Sequence, residues 1–403
     1  MKTKKVKFKN KNGEELMGYL ELPLNQDPHN FVLFAHCFTC NKNFFAAKNI
    51  SRSLASAGYG VLRFDFTGLG ESEGDFSDTN FSGNIQDLVA AAEFLKEEHQ
   101  APGLLVGHSL GGAAVLYAAK QIASVKAVAT VAAPSTIKHV EGLLRSNIDE
   151  IEKSGIASVN IGGRSFDVKK QFLDDIRQHD LSTYLNDLKR ALLILHSPQD
   201  PIVGIKNAEE LYVAAKHPKS FISIDGASHL MEAEDDAVYA GEMIATWAKR
   251  YLPIEEEVPL ESESDVVANL GSSGYTTQMK AGKHHFISDE PIKVGGKDFG
   301  PTPYQLVSAG LAACTSMTLH MYARRKKWLL ENVETHVSYS REHASDCESC
   351  EDKDAKIDTF KREIVIKGEL DEKQKKRLME IADKCPVHKS LTTQNHIPTS
   401  LKN

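Results

Sequence analysis

Gly107-His108-Ser109-Leu110-Gly111 follows the apolar run 103–106 and precedes a helical pattern over 113–120. So sharp a turn from strand to helix needs glycine on both sides of the serine, where a side chain would strike neighbouring backbone, and it presents the Ser109 hydroxyl at the strand's carboxyl end. A hydroxyl is a weak nucleophile near neutral pH, so it requires a histidine base and a carboxylate to orient that base. Both follow in the order serine, acid, histidine. Asp200 hangs just beyond the apolar run 191–195, in His196-Ser197-Pro198-Gln199-Asp200-Pro201, and His229 stands beyond the next run, in Gly226-Ala227-Ser228-His229-Leu230. Acyl transfer also builds negative charge on an oxygen that two backbone N–H groups must meet, and Leu110, the residue after the nucleophile, supplies one. The pattern predicts serine chemistry on an ester, thioester or amide, with Ser109, Asp200 and His229 catalytic and no external cofactor.

The six cysteines are too sparse among 403 residues for a disulfide scaffold, and in a reducing compartment they are read as reactive, metal-binding or buried. Cys37 and Cys40 form a C-x-x-C without a thioredoxin-like βαβ context, and the favoured reading is a pair of buried thiols. His343, Cys347 and Cys350 have H-x3-C-x2-C spacing in an acidic hairpin loop. With His388 or a carboxylate they could close a zinc site, but three residues in ligand spacing are weaker support than the ordinary reading of a solvated loop, and no metal is expected.

The elements that must position these groups are legible. Apolar runs at 31–35, 61–64, 103–106, 127–132, 191–195 and 221–224 alternate with helix-length segments, which indicates a mostly parallel sheet with helices on both faces. Parallel strands bring Ser109, Asp200 and His229 to one carboxyl edge. A proline-punctuated acidic stretch at 253–264 marks a linker. Beyond it, residues 265–403 alternate short strands with one long apolar segment, 304–323, and a late helix over 371–384, an α+β pattern. A helix apolar on nearly every face needs a large covering surface, which predicts a homodimer through this C-terminal domain.

With 48 Lys+Arg against 55 Asp+Glu, the net charge of -7 disfavours nucleic-acid binding. The basic segment Lys2 to Lys9 alternates with Val6 and Phe8 and reads as an edge strand. No apolar run reaches the roughly 18 residues of a membrane span and no signal peptide is evident, so a cytoplasmic location is expected.

Residues 1–252 resemble the α/β-hydrolase family, on the Ser109 turn, Asp200 and His229 in order. His36-Cys37-Phe38 resembles that family's H-G-x oxyanion turn with cysteine in the glycine position, which makes Phe38 the second oxyanion donor. Asp65-Phe66-Thr67-Gly68-Leu69-Gly70-Glu71-Ser72 resembles its D-x-R-G-x-G-x-S loop, with Thr67 for arginine, and is read as structural. The insertion at about 135–189 is expected to form a helical cap that selects a small-molecule acyl substrate.

Residues 265–403 resemble the osmotically inducible protein C (OsmC) family, which includes the organic hydroperoxide resistance proteins. The resemblance rests on Pro301-Thr302-Pro303-Tyr304-Gln305-Leu306, Gly310-Leu311-Ala312-Ala313-Cys314-Thr315-Ser316-Met317 and Ala382-Asp383-Lys384-Cys385-Pro386-Val387-His388. It implies that Cys314 reduces an organic hydroperoxide and Cys385 resolves the resulting sulfenic acid as a disulfide, which an external thiol reductant reopens. Pro386 ends the preceding helix at or before Cys385. Tyr304 occupies the place of the family's glutamate, which holds an activating arginine, and Lys280 and Lys283 are the obvious cations near the start of the domain. The other readings are that Cys314 and Cys385 are core thiols of a ligand-binding domain, or that the chain is mainly a thiol peroxidase whose hydrolase half only binds apolar substrate.

Overall fold

A computed structural model describes residues 1–403 apart from 38, 143, 162, 255–259, 273, 344–355 and 403. The chain divides into two compact units, Met1–Pro259 and Leu260–Asn403.

The first unit is built on strands β1 (Lys2–Lys9), β2 (Glu15–Leu22), β3 (Asn30–Ala35), β4 (Tyr59–Phe64), β5 (Leu104–His108) and β6 (Ala127–Val131). After the insertion, which holds β7 (Ile156–Ile161) and β8 (Arg164–Lys169), come β9 (Ala191–His196) and β10 (Lys219–Ser223). One eight-stranded sheet results, in the order β1-β2-β4-β3-β5-β6-β9-β10. From β4 to β10 every pairing is parallel, while β1 and β2 add an antiparallel edge. Every residue of β4, β5, β6 and β9 is buried, which is why these strands read as unbroken apolar runs rather than alternating ones. Helices α1 (Phe45–Ser56), α2 (Phe81–Glu98) and α3 (Leu110–Gln121) lie in the crossovers, with α7 (Lys206–Ala214) and α8 (Glu234–Ala248) later in the chain. The core falls into two clusters, one including Leu33, Leu88, Leu105 and Leu116, the other Val32, Ile50, Val106 and Ile244. Successive residues of one strand thus serve opposite faces.

The insertion departs from the expected all-helical cap. It carries the short helices α4 (Ile148–Ser154), α5 (Lys170–Gln178) and α6 (Leu181–Leu185), but β7 and β8 between them form an antiparallel hairpin. Along β7, Ala157 and Val159 are buried while Ser158 and Asn160 are exposed, a period of two that no helix accommodates.

In the second unit, β11 (Val266–Leu270), β12 (Thr277–Ala281) and β13 (His284–Ser288) form a three-stranded antiparallel sheet, and the long strands β14 (Leu329–His343) and β15 (Lys356–Glu369) pair with each other. Helix α9 (Pro303–Lys326) is followed late in the chain by α10 (Glu372–Ala382) and α11 (Pro386–Thr392). A capping box between Thr302 and Gln305, with Pro303 in the first turn, starts α9, satisfying N–H groups that have no partner inside the helix. Only Leu311, Thr315, Leu319 and Ala323 of its 24 residues are buried, one stripe at four-residue spacing. Tyr304, Val307, Met317 and Met321 stay exposed. The segment containing Cys347 and Cys350 lies outside the described residues. Among the described residues no helix is long and apolar enough to cross a membrane.

Candidate active site

The Ser109 turn is as tight as its glycines demand. Ser109 has φ +53°, a left-handed conformation that costs a non-glycine residue on the order of 1–3 kcal/mol and persists only where surrounding structure enforces it. A Cβ on Gly107 would come within 2.3 Å of the Gly111 carbonyl oxygen, and one on Gly111 within 2.3 Å of the His36 oxygen. Both positions therefore exclude any side chain. Ser109 N–H donates to the Val131 carbonyl at 2.9 Å, fixing the turn to β6. Leu110 opens α3, so its N–H has no acceptor within the helix.

The three residues expected to work together meet at this edge. His229 Nε2 lies 3.1 Å from Ser109 Oγ, and His229 Nδ1 lies 2.7 Å from Asp200 Oδ2. The other Asp200 oxygen accepts the backbone N–H groups of Ile202 at 2.8 Å and Val203 at 2.9 Å. Burial pushes the Asp200 carboxyl up, but the His229 hydrogen bond and those two N–H donors outweigh it and leave the pKa below its ordinary value. A carboxylate held ionised in this way fixes the Nδ1–H tautomer and leaves Nε2 facing the hydroxyl as an acceptor.

Two further histidines support the relay. His108 Nε2–H donates to the backbone carbonyl of His229 at 2.7 Å, and His196 Nε2–H donates to the Val203 carbonyl at 2.6 Å. Burial holds both neutral, His108 with its pKa pushed down to about 3. Sequence reading missed their roles, although each lies inside a motif that was singled out. From the cap, His139 reaches close enough for burial and then the field of His229 to lower its pKa.

Ahead of the serine turn, the structure corrects one expectation. Cys37 and Cys40 are joined by a disulfide and are not separate buried thiols. A left-handed Thr39, φ +64°, curls the turn enough to bring the two Cα atoms to 5.4 Å, within bonding range. Phe38, expected to donate to the oxyanion, lies outside the described residues. Just beyond, the buried Lys42 ammonium pairs with Asp65 at 2.5 Å and Glu71 at 2.6 Å, and its carbonyl accepts from Arg63. Through this network the loop 65–72 braces the turn. Gly70 is required there, since a Cβ would fall 2.2 Å from Asp65 Oδ2.

In the second unit, Cys314 on α9 is half-buried and Cys385, the residue before α11, is buried. Burial raises the Cys385 thiol, but hydrogen bonds from Cys314, the His388 backbone, Thr315 and the Val387 backbone outweigh it and lower its pKa overall. Besides Lys280 and Lys283 near the start of the domain, an arginine approaches this region from β15. Arg362 Nη1 donates to Thr315 Oγ1 and to the Ala382 carbonyl, both at 3.0 Å, and Nη2 pairs with Asp383 Oδ1 at 2.6 Å. Tyr304 stacks on Tyr339, with ring centroids 4.1 Å apart. Among the described residues, no group of three or more His, Cys, Asp or Glu is arranged to hold a metal ion.

A mostly parallel sheet with a strained serine at the end of β5, followed by acid and histidine at later strand ends, defines the α/β-hydrolase class. The alpha/beta hydrolase family model matches residues 32–242, just over half of the chain, and the OsmC-like protein model matches residues 295–402. The chain belongs to the alpha/beta hydrolase family and carries a C-terminal OsmC-like domain. The solved esterase domain of a Rhodothermus marinus protein is 48% identical, covering 62% of this chain and all of that one, with a TM-score of 0.53. The mitochondrial palmitoyl-protein thioesterase ABHD10 of Mus musculus is 25% identical over 179 residues, 43% of this chain. The chain spans 59% of the length of that relative. The uncharacterized protein YfhR of Escherichia coli O157:H7 is 24% identical over 246 residues, 59% of this chain and 78% of its own length.

Proposed function

We propose that the first unit hydrolyses a carboxylic ester or thioester through an acyl-enzyme on Ser109. The observation that carries this reading is the unbroken relay from Ser109 Oγ through His229 to Asp200, at 3.1 and 2.7 Å. His229 Nε2 takes the hydroxyl proton as Ser109 attacks the carbonyl carbon, and returns it to the leaving group as the tetrahedral intermediate collapses. A water activated by the same nitrogen then releases the acid. The Leu110 N–H, at the positive end of α3, donates to the oxyanion, and Phe38 N–H is the second donor by its place in the motif. The 48% identity to the esterase domain of the Rhodothermus marinus protein favours the ester class. A fluorophosphonate probe should label Ser109 in the intact chain, and Ser109→Ala should remove both labelling and turnover of a short p-nitrophenyl ester.

The second unit supports a companion activity, reduction of an organic hydroperoxide. The Cys314 thiolate attacks the peroxide, the O–O bond breaks, and Cys314 becomes a sulfenic acid as the organic fragment leaves as an alcohol; Cys385 condenses with the sulfenic acid to a disulfide with loss of water, and an external thiol reductant restores both. The nearness of the two thiols, with Cys314 close enough to lower the pKa of Cys385, favours this reading. A sulfenic-acid probe applied after cumene hydroperoxide should mark Cys314 in a Cys385→Ser variant. The exposed apolar face of α9 favours a homodimer through this unit.

A further inference from the structure

The Cys37–Cys40 disulfide has no part in either reaction just described, yet it is built into the wall of the serine site. On one side of it the chain is fixed to the serine turn. Ala35 pairs with Gly107, and Gly111 lies so close that a Cβ on it would come within 2.5 Å of the Ala35 oxygen and 2.3 Å of the His36 oxygen. On the other side the chain is fixed at Lys42, whose backbone N–H donates to Asp65 Oδ1 at 2.6 Å and whose ammonium is buried against the same carboxylate. Between these anchors runs a turn closed by a Cys40 N–H bond to the Cys37 carbonyl at 3.2 Å and by the disulfide itself.

That turn holds Thr39 at φ +64°, a region that a β-branched residue avoids unless constrained. Cys37 lines a narrow cavity together with His36, Leu110 and Gly111. It therefore stands between the strained turn and the start of α3, where the oxyanion is held. Cys37 is buried and Cys40 half-buried, so Cys40 Sγ is the sulfur open to a nucleophile from solvent.

We infer that Cys37–Cys40 is a thiol–disulfide exchange site, reduced by a small dithiol, whose oxidation state sets the turnover of the Ser109 site. The inference rests on the hydrolase reading above. One thiolate of the dithiol attacks Cys40 Sγ, the Cys37–Cys40 bond breaks, and Cys37 leaves as a thiolate that takes a proton. The second thiol of the reductant then displaces Cys40 from the mixed disulfide. The protein has gained two electrons and two protons, and the dithiol has become a cyclic disulfide. With the bond open, Thr39 relaxes towards negative φ while Ala35 and Lys42 stay anchored. The oxyanion side of the site moves and the fold does not. An interaction made in the transition state is weakened, so kcat falls more than KM rises. Outright loss of an oxyanion donor costs about 100- to 1000-fold, and displacement of the turn should cost on the order of tenfold to a hundredfold.

The test poises the full chain in oxidised or reduced dithiothreitol, removes the reagent, assigns free thiols by differential alkylation and mass spectrometry, and measures p-nitrophenyl acetate hydrolysis. The expected result is a kcat lower on the order of tenfold or more when Cys37 and Cys40 are free, restored on reoxidation. A Cys37→Ser, Cys40→Ser double variant should hold the lower rate in both buffers, and a Cys314→Ser, Cys385→Ser double variant should keep the response. Equal kcat with both thiols shown free overturns the inference alone, as does a redox response that survives in the Cys37→Ser, Cys40→Ser variant. Absence of ester turnover in either state overturns the assignment of Ser109 first, and this inference with it.

Discussion

The two units differ in how much of their chemistry a single chain can enclose. In the first, a sheet covered on both faces supplies two apolar clusters, and a serine, a histidine and a carboxylate converge within 3.1 Å of one another in sequence along the relay. In the second, the buried cluster is Leu319, Ala323, Leu378, Ile381 and Ala382, and a 24-residue helix covers one stripe of itself. At roughly 25 cal/mol per Å² of apolar surface removed from water, so few buried side chains give the second unit far less of that stabilisation than the first. The difference teaches where the proposed homodimer would matter: the first unit encloses its relay within one copy, while the second leaves apolar side chains of α9 exposed.

The largest effect that would sharpen this contrast belongs to the serine. Ser109→Ala should lower ester turnover by several orders of magnitude, and His229→Ala by a similar factor, because residues of a relay act as one unit. Hydroperoxide-driven oxidation of Cys314 should be unchanged in both variants. Turnover in Ser109→Ala comparable to the parent would overturn the relay. Asp200→Asn should cost less than either. It keeps the shape of the side chain but loses the charge that stabilises the imidazolium and fixes its tautomer, and kcat measured beside the other two variants will rank the three.

Next in size is assembly. Val307 and Met317 lie on the exposed side of α9, and Val307→Glu with Met317→Glu would place two charges in any interface made there. Light scattering should give two chains per particle for the parent at micromolar concentration and one for the variant, with ester turnover per chain unaltered. A parent that scatters as a single chain would break the comparison from the side of the second unit.

What the sequence made legible follows the same division. Ser109, Asp200 and His229 could be read because backbone geometry constrains them: glycines flank the serine, and acid and histidine each follow an apolar strand. The disulfide could not, since C-x-x-C spacing does not say whether a residue between the cysteines will adopt the left-handed turn that Thr39 does. The cap hairpin was hidden by its polar face, although the alternation of Ala157 and Val159 with Ser158 and Asn160 carried the signal. Arg362 stands between Lys361 and Glu363 and reads as part of a solvated face. Period-two alternation with Ile364 and Ile366 places it inward, and its side chain is 11% exposed.

The smallest effect concerns acid stability, and it separates the units by the burial of their histidines. His36, His108 and His196 of the first unit are almost wholly buried, and burial depresses the pKa of each, that of His108 to about 3. In the unfolded chain such a group takes up a proton below about pH 6.5. The unfolded state then binds more protons than the folded one, so stability is fully present above that value and is lost as the pH falls from 6.5 towards 3. For His108 alone the loss at pH 5 is about 2 kcal/mol. His284, His285, His320, His336 and His396 of the second unit are exposed. The chain has two tryptophans, Trp247 on α8 and Trp328 just after α9, one in each unit. Trp328→Phe leaves a reporter of the first unit and Trp247→Phe a reporter of the second. Fluorescence during acid titration should show the Trp247 transition at the higher pH, with urea midpoints at pH 5 and pH 7 differing more for the first unit. Coincident transitions would mean that the two units unfold as one and that buried histidine does not set the acid limit of the first.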